Sequence, residues 1–257
     1  MKKMDEKAAI ETLRQAKEIL DKAGVQYWLD CGTLLGAVRN GRFIPWDNDI
    51  DLGIWHKDVN KIAKIIENLH IKGFLAYFFI HTVSLHNTKK DITLNLNIYH
   101  KNKEAATWKL FINTKSMKLA MAINYILSLL SEPTHIGDIP SPLYKPMPQP
   151  LKKIITKASQ TTIPKLRHKL IKIIEKIATN LGCKDIQMII PTQYFTNLST
   201  INFYEMKLKT PTPVEKYLAY RYGKNWKTPR KNYIYYEEDG AIAKKHQNQT
   251  NSTPRKH

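Results

Sequence analysis

The chain has 257 residues, 42% of them hydrophobic and 10% aromatic, which is long and apolar enough for a full core and excludes a disordered or fibrous protein. Its 41 Lys and Arg against 22 Asp and Glu give a net charge of +19, a field that favours anionic partners such as phosphate-bearing substrates, an anionic membrane surface or nucleic acid. Two cysteines, Cys31 and Cys183, lie far apart, so no disulfide framework or cysteine metal knuckle can be read from them and a reducing compartment is expected.

The N-terminal segment carries charges throughout and lacks the apolar stretch of a signal peptide, which predicts a cytoplasmic location. Residues 5–23 have the spacing of an amphipathic helix stopped by Gly24, and residues 1–24 are expected to pack as a helix on a domain spanning 25–232. Val25 to Leu29 reads as a strand and Thr33 to Arg39 as a short helix. Asp49 to Trp55 alternates strictly, with Ile50, Leu52 and Ile54 on one face of a strand and Asp49, Asp51 and Gly53 on the other. Val59 to Leu69 returns to helical spacing. Strands are expected in 75–86 and 91–99, the second with Asp91, Thr93, Asn95 and Asn97 on its polar face.

Residues 115–131 read as an apolar helix, whose longest apolar stretch, Leu119 to Leu130, has about 12 residues and is too short to span a bilayer. A proline-rich loop at 131–150 follows, and then a helix at 165–181. Thr212-Pro213-Val214-Glu215 has the form of a capping box opening a helix that ends at Gly223. Residues 240–257 are polar and aperiodic, which predicts disorder.

The chemistry concentrates in Leu29–Trp55. Residues two apart on a strand project together, about 6.5–7 Å apart along the chain. Asp49 and Asp51 therefore share a face, and Asp47 joins them if the backbone stays extended through Asn48. Three carboxylates so placed repel one another unless a cation lies among them, and Mg²⁺ or Mn²⁺ suits such hard oxygen ligands. A calcium loop would need Gly at its sixth position, where Leu52 stands. Upstream, Gly32 and Thr33 at a helix start offer backbone N–H groups to phosphate. Arg39 and Arg42, on the turn towards the strand, are candidate phosphate contacts.

The runs Asp30-Cys31-Gly32-Thr33-Leu34-Leu35-Gly36-Ala37-Val38-Arg39 and Phe43-Ile44-Pro45-Trp46-Asp47-Asn48-Asp49-Ile50-Asp51-Leu52-Gly53 closely resemble the LicD family, a group that includes bacterial phosphocholine transferases, fukutin and fukutin-related protein. Far downstream, Arg221-Tyr222-Gly223-Lys224-Asn225-Trp226-Lys227-Thr228-Pro229 is similar to the Tyr-Gly-x-x-Trp-x-x-Pro element that closes such domains.

The resemblance implies an α+β, nucleotidyltransferase-like mixed β-sheet flanked by helices, with additional C-terminal helices. It implies Asp47, Asp49 and Asp51 as metal ligands and catalytic carboxylates, and Gly32 and Thr33 as the phosphate cradle. It also implies a CDP-activated alcohol as donor, such as CDP-choline or a CDP-polyol, and a glycan or lipid-linked glycan hydroxyl as acceptor. Tyr222 and Trp226 are candidates for stacking on the cytosine base, against the alternative of ordinary packing. An acceptor on a lipid would be compatible with peripheral association at the inner face of the membrane. No nucleic-acid module is recognisable, so nucleic acid is not an expected partner.

One departure stands out. Relatives place a further carboxylate on a neighbouring strand, and the similar position here reads Asn97-Ile98-Tyr99. An amide can ligate but cannot take a proton as a base. Either the register differs, or one of the three Asp is the base, or activity is lost. A nucleotidyltransferase proper, a metal-dependent glycosyltransferase and an inactive binding member stand as alternatives.

Overall fold

The structure, a computed structural model, describes residues 4–79, 81–113 and 164–243 together with a few positions between 116 and 127. Helix α1 (Glu6–Lys22) is capped by Asp5, whose carboxylate accepts from the Lys7 and Ala8 amides at 3.0 and 3.2 Å. Its stripe of Ala9, Leu13, Ala16 and Leu20 is fully buried. Strand β1 (Tyr27–Leu29), helix α2 (Cys31–Asn40) and strand β2 (Asp49–Trp55) follow, then helices α3 (Val59–Lys64) and α4 (Ile66–Ile71). Strands β3 (Phe74–Phe79), β4 (Thr82–Asn87), β5 (Ile92–Lys101) and β6 (Ala105–Ile112) complete the first half. The second half holds α5 (Pro164–Asn180), β7 (Lys184–Pro191), the hairpin β8 (Ser199–Phe203) and β9 (Met206–Thr210), α6 (Val214–Tyr222) and the single turn α7 (Tyr235–Glu238).

Among the described residues the main sheet has seven strands, ordered β1-β2-β5-β4-β3, with β6 joining β5 and β7 joining β6. Only β2 and β5 run parallel; the other pairings are antiparallel, so the sheet is mixed. Helices pack around it, and the architecture is the expected α+β one.

Ile50, Leu52 and Ile54 of β2 and Leu94, Leu96 and Ile98 of β5 join Leu13 and Leu20 of α1 in one core cluster. The opposite face of β2 is covered further along by Trp28, whose ring packs among Trp55, Tyr99 and Phe195 at 4.9, 5.4 and 4.9 Å between ring centres. A Cβ at Gly53 would overlap the Trp28 indole, so only glycine lets that ring lie flat on the strand. The polar face of β2 is therefore left uncovered at its start, where Asp49 and Asp51 stand.

Several expectations change. The 75–86 segment is a hairpin of β3 and β4 rather than one strand, and 59–69 breaks at Ile65 into α3 and α4. The capping box does not form: Pro213 is the N-cap of α6, no side chain caps it, and Thr212 Oγ1 instead accepts from the Ser199 amide at 2.9 Å. Residues 240–243 are ordered, with Ala241 buried and Ile242 bridged to Met188. The rest of the tail, the 131–150 loop and most of the 115–131 helix lie outside the described residues.

Candidate active site

Helix α2 starts at Cys31, two residues earlier than its pattern suggests, with Asp30 in the N-cap position on extended backbone. Asp30 gives no side-chain cap, because its carboxylate is used elsewhere. It accepts from Tyr99 Oη at 2.8 Å, Asn97 Nδ2 at 3.2 Å, Tyr217 Oη at 3.3 Å and Arg221 Nη1 at 3.4 Å. Arg221 Nε in turn donates to both oxygens of Asp239 at 2.9 and 2.7 Å. Asp30, Arg221 and Asp239 are at most 4% exposed. This buried network joins the first sequence block to the C-terminal one and leaves the first turn of α2 without a side-chain cap, which is the arrangement that receives anions.

Cys31 sits at φ 44°, in the left-handed region, as α2 begins. Its Sγ lies 3.7 Å from both Asn97 Nδ2 and Arg221 Nη2. Gly32 lies directly under Asp47: a Cβ there would overlap Asp47 Oδ2. Thr33 is buried, and its hydroxyl oxygen accepts from the Asp51 amide at 2.9 Å. The Asp30 amide also donates to the Asp51 carbonyl at 3.1 Å. Thr33 thus fixes α2 onto β2 at the level of Asp51.

The structure brings Asp47, Asp49 and Asp51 together, each half-buried and facing one cleft. The Asp47 and Asp49 carboxyl groups are close enough to share a proton. Burial, then the charge of Asp49, pushes Asp47 up to about 7. Burial also raises Asp49, against hydrogen bonds from Asp47 and Asn95 that lower it. Asp51 is pushed well above the usual carboxylate range, first by burial and then by the charges of Asp49, Asp47 and Asp30.

The partner of this pair on β5 is Asn95. The register sets Asn95 opposite Asp51 and Asn97 opposite Gly53. Asn95 Nδ2 donates to Asp49 Oδ2 at 3.0 Å and Asp51 Oδ1 at 3.3 Å. Asn97 is buried against Asp30 and does not stand beside the Asp49–Asp51 pair; Asn95, two residues earlier on the same face, does.

Among the described residues no group of three or more His, Cys, Asp or Glu is placed to hold a metal ion by itself. The cleft instead offers carboxylates in pairs. That suits Mg²⁺, which keeps several waters and is commonly held by one or two carboxylates plus substrate phosphate.

The remaining predicted residues divide. Arg42 is exposed and held on Glu6 of α1 at 2.6 Å. Arg39 lies in the last turn of α2, about 10 Å along the axis from Gly32; its Nε donates to Asn40 Oδ1 at 2.7 Å. Trp226 is buried in the main core with Lys227 over its ring, so it packs rather than offering a face to a base. Tyr222 is half-buried, 5.1 Å from Tyr233 between ring centres.

Sequence reasoning missed the other contributors. Tyr235 on α7 is raised to about 12 by burial and by the charges of Cys31, Asp51 and Asp49. Lys231 Nζ lies 5.5 Å over the ring of Trp46, next to Asp47 in the chain. The segment after α6 therefore reaches the cleft, a long-range contact with no local signature.

Residues 24–129 match the family model described as LicD/FKTN/FKRP, nucleotidyltransferase domain. Ribitol 5-phosphate transferase FKRP of Mus musculus is 49% identical over 59 residues, covering 23% of this chain and 12% of that protein. Ribitol-5-phosphate transferase FKTN of Homo sapiens is 46% identical over 52 residues, 20% of this chain and 11% of that protein. Protein RP689 of Rickettsia prowazekii is 33% identical over 93 residues, 36% of this chain and 34% of that protein. Each match therefore spans about a third or less of the relative's length. Among solved structures, ANT(2'')-Ia in solution aligns at 12% identity with a TM-score of 0.34, over 69% of this chain and 96% of that one. The family match over residues 24–129 thus takes in the start of α2 and all three aspartates, and the similarity to the LicD/FKTN/FKRP nucleotidyltransferase domain is confined to that part of the chain.

Proposed function

We propose that the chain is a divalent-metal-dependent phosphotransferase that moves a phospho-alcohol, phosphocholine or a polyol phosphate, from a CDP-activated donor to a glycan hydroxyl. The observation that carries this reading is the juxtaposition of Asp47, Asp49 and Asp51 with the uncapped first turn of α2, inside a domain whose named relatives are ribitol-5-phosphate transferases.

Asp49 and Asp51 would hold Mg²⁺ or Mn²⁺ together with the donor's phosphates, and the ion would offset the charge that develops during in-line transfer. The N–H groups of the α2 first turn orient those phosphates, and the missing side chain of Gly32 leaves room for the Asp47 carboxylate beside them. Asn97 does not take the acceptor proton, because it is buried as a donor to Asp30. That proton passes to one of the cleft carboxylates, Asp47, Asp49 or Asp51. Among the described residues no helix is long and apolar enough to cross a membrane. The net charge of +19 suits a peripheral, cytoplasmic encounter with an anionic surface carrying a lipid-linked acceptor.

The test is a product assay with purified protein, Mn²⁺, CDP-ribitol or CDP-choline and a glycan acceptor. CMP release together with a phosphodiester on the glycan supports the reading. Pyrophosphate release from a nucleoside triphosphate would assign a nucleotidyltransferase instead, and stabilisation by UDP-sugars alone a glycosyltransferase.

A further inference from the structure

Asn95 occupies a decisive place beside the carboxylates. Sites that use two divalent ions hold them about 3.5–4 Å apart, each with its own oxygen ligands and with shared carboxylates between them. Such a pair brings four positive charges, so the surrounding carboxylates must supply both the oxygens and the compensating charge.

Four acids lie in or behind this cleft, and one of them is already used. Asp30 is taken up by four buried donors, Tyr99, Asn97, Tyr217 and Arg221. Asp47, Asp49 and Asp51 remain. On the β5 side of the Asp49–Asp51 pair, the flank where a second ion would need oxygen is filled by the Asn95 amide. Its N–H₂ group points at both carboxylates, at 3.0 and 3.3 Å. Its oxygen is turned away, accepting from Ser84 Oγ at 2.7 Å, and Ser84 stands opposite it in the β4–β5 register. The flank therefore presents donor hydrogens and no charge. A cation there would meet the positive end of an amide, in a position that the sheet register and the Ser84 bond hold fixed.

From this geometry, and resting on the metal-dependent reading above, we infer that the site takes a single divalent cation and that Asn95 is the residue that fixes that number. The tasks a second ion would perform on the donor phosphates fall to the first-turn N–H groups of α2.

The experiment counts Mn²⁺ bound to the full chain by titration calorimetry and by the electron paramagnetic resonance of free Mn²⁺, with and without CDP. The wild type should bind one ion. Asn95→Asp, which puts a third carboxylate against the pair, should bind two. Asn95→Ala removes the donor without adding a ligand, so it should still bind one ion, at least about tenfold more tightly, because the carboxylates lose both hydrogen bonds from the amide. Two ions on the wild type would overturn the inference, because the amide would then be presenting its oxygen. One ion on both the wild type and a folded Asn95→Asp would remove Asn95 from the role. If Asn95→Asp fails to fold, Asn95→Ala decides: tighter binding than wild type upholds the role, and an affinity unchanged from wild type removes Asn95 from it. No binding to the wild type at all, even with CDP, would instead overturn the metal-dependent reading on which the inference rests.

Discussion

Replacing Arg221 by Met keeps most of the side chain's length and removes its charge from a fully buried setting. Asp239 then loses both of its short bonds, at 2.9 and 2.7 Å, and retains the Ala241 amide at 2.8 Å. Asp30 loses only the longest of its four contacts and keeps Tyr99, Asn97 and Tyr217. Most of the damage should therefore fall on Asp239. Breaking a buried pair by removing one partner is worth about 3–5 kcal/mol. At roughly 2–4 °C per kcal/mol for a chain of this size, the melting temperature should fall by about 6–20 °C. Asp239→Asn should be milder, because Arg221 keeps Asp30. The double variant should recover part of the loss, with a coupling of about 1–3 kcal/mol. Denaturant melts of the wild type, the two single variants and the double variant would measure this cycle. A loss below about 1 kcal/mol in Arg221→Met, with no coupling to Asp239, would show that the network contributes little to holding the two ends of the domain together.

Asp49→Asn and Asp51→Asn should each lower transfer by at least about 10²-fold, yet melt no lower than wild type in chelator, because each relieves repulsion within the acidic cluster; near-normal turnover in saturating Mg²⁺ would refute their role. The chelated wild type should lose stability as pH rises from 5 to 8. Folding raises these carboxyl pKa values, so their contribution is complete below the unfolded value of about 3.9 and disappears as pH passes about 7. Mg²⁺ should restore much of the loss at pH 8, and a melting temperature that stays flat or climbs over this range in chelator would contradict the burial of the cluster. Asn97→Asp should not improve catalysis. It sets a second buried carboxylate against Asp30, so it should destabilise by about 3–5 kcal/mol, and a stable variant with higher turnover would return Asn97 to the catalytic cleft.

The alternation of Ile50, Leu52 and Ile54 with Asp49, Asp51 and Gly53 was enough to place β2 and its two faces, because side-chain direction follows from a period of two. The same period in 91–99 identified the polar face of β5. It could not say which of Asn95 and Asn97 meets Asp51, since register is set by pairing between strands and not by either strand alone. The Arg221–Asp239 pair and the approach of Lys231 and Tyr235 likewise depend on chain segments meeting in space. Thr212 shows a tertiary partner overriding a local signal: its hydroxyl serves the Ser199 amide of the neighbouring hairpin instead of capping α6. Strand β9 was written as Met206, Leu208 and Thr210 alternating with Lys207 and Lys209, a signal too short to stand out from a loop.

The bond between Asp30 and Arg221 joins residues 191 positions apart in the chain. During synthesis, the first 129 residues emerge long before Arg221 and Asp239 do, at about 5–20 residues per second. Through that interval Asp30 can meet Asn97 and Tyr99 but neither Tyr217 nor Arg221, two of the four groups that hold its carboxylate. The matched domain is thus completed by a segment outside it, and the cleft should mature late in folding, after the slow closure of its longest loop. Fragments ending near residue 129 would present the aspartates of β2 without the support that sets the helix beside them.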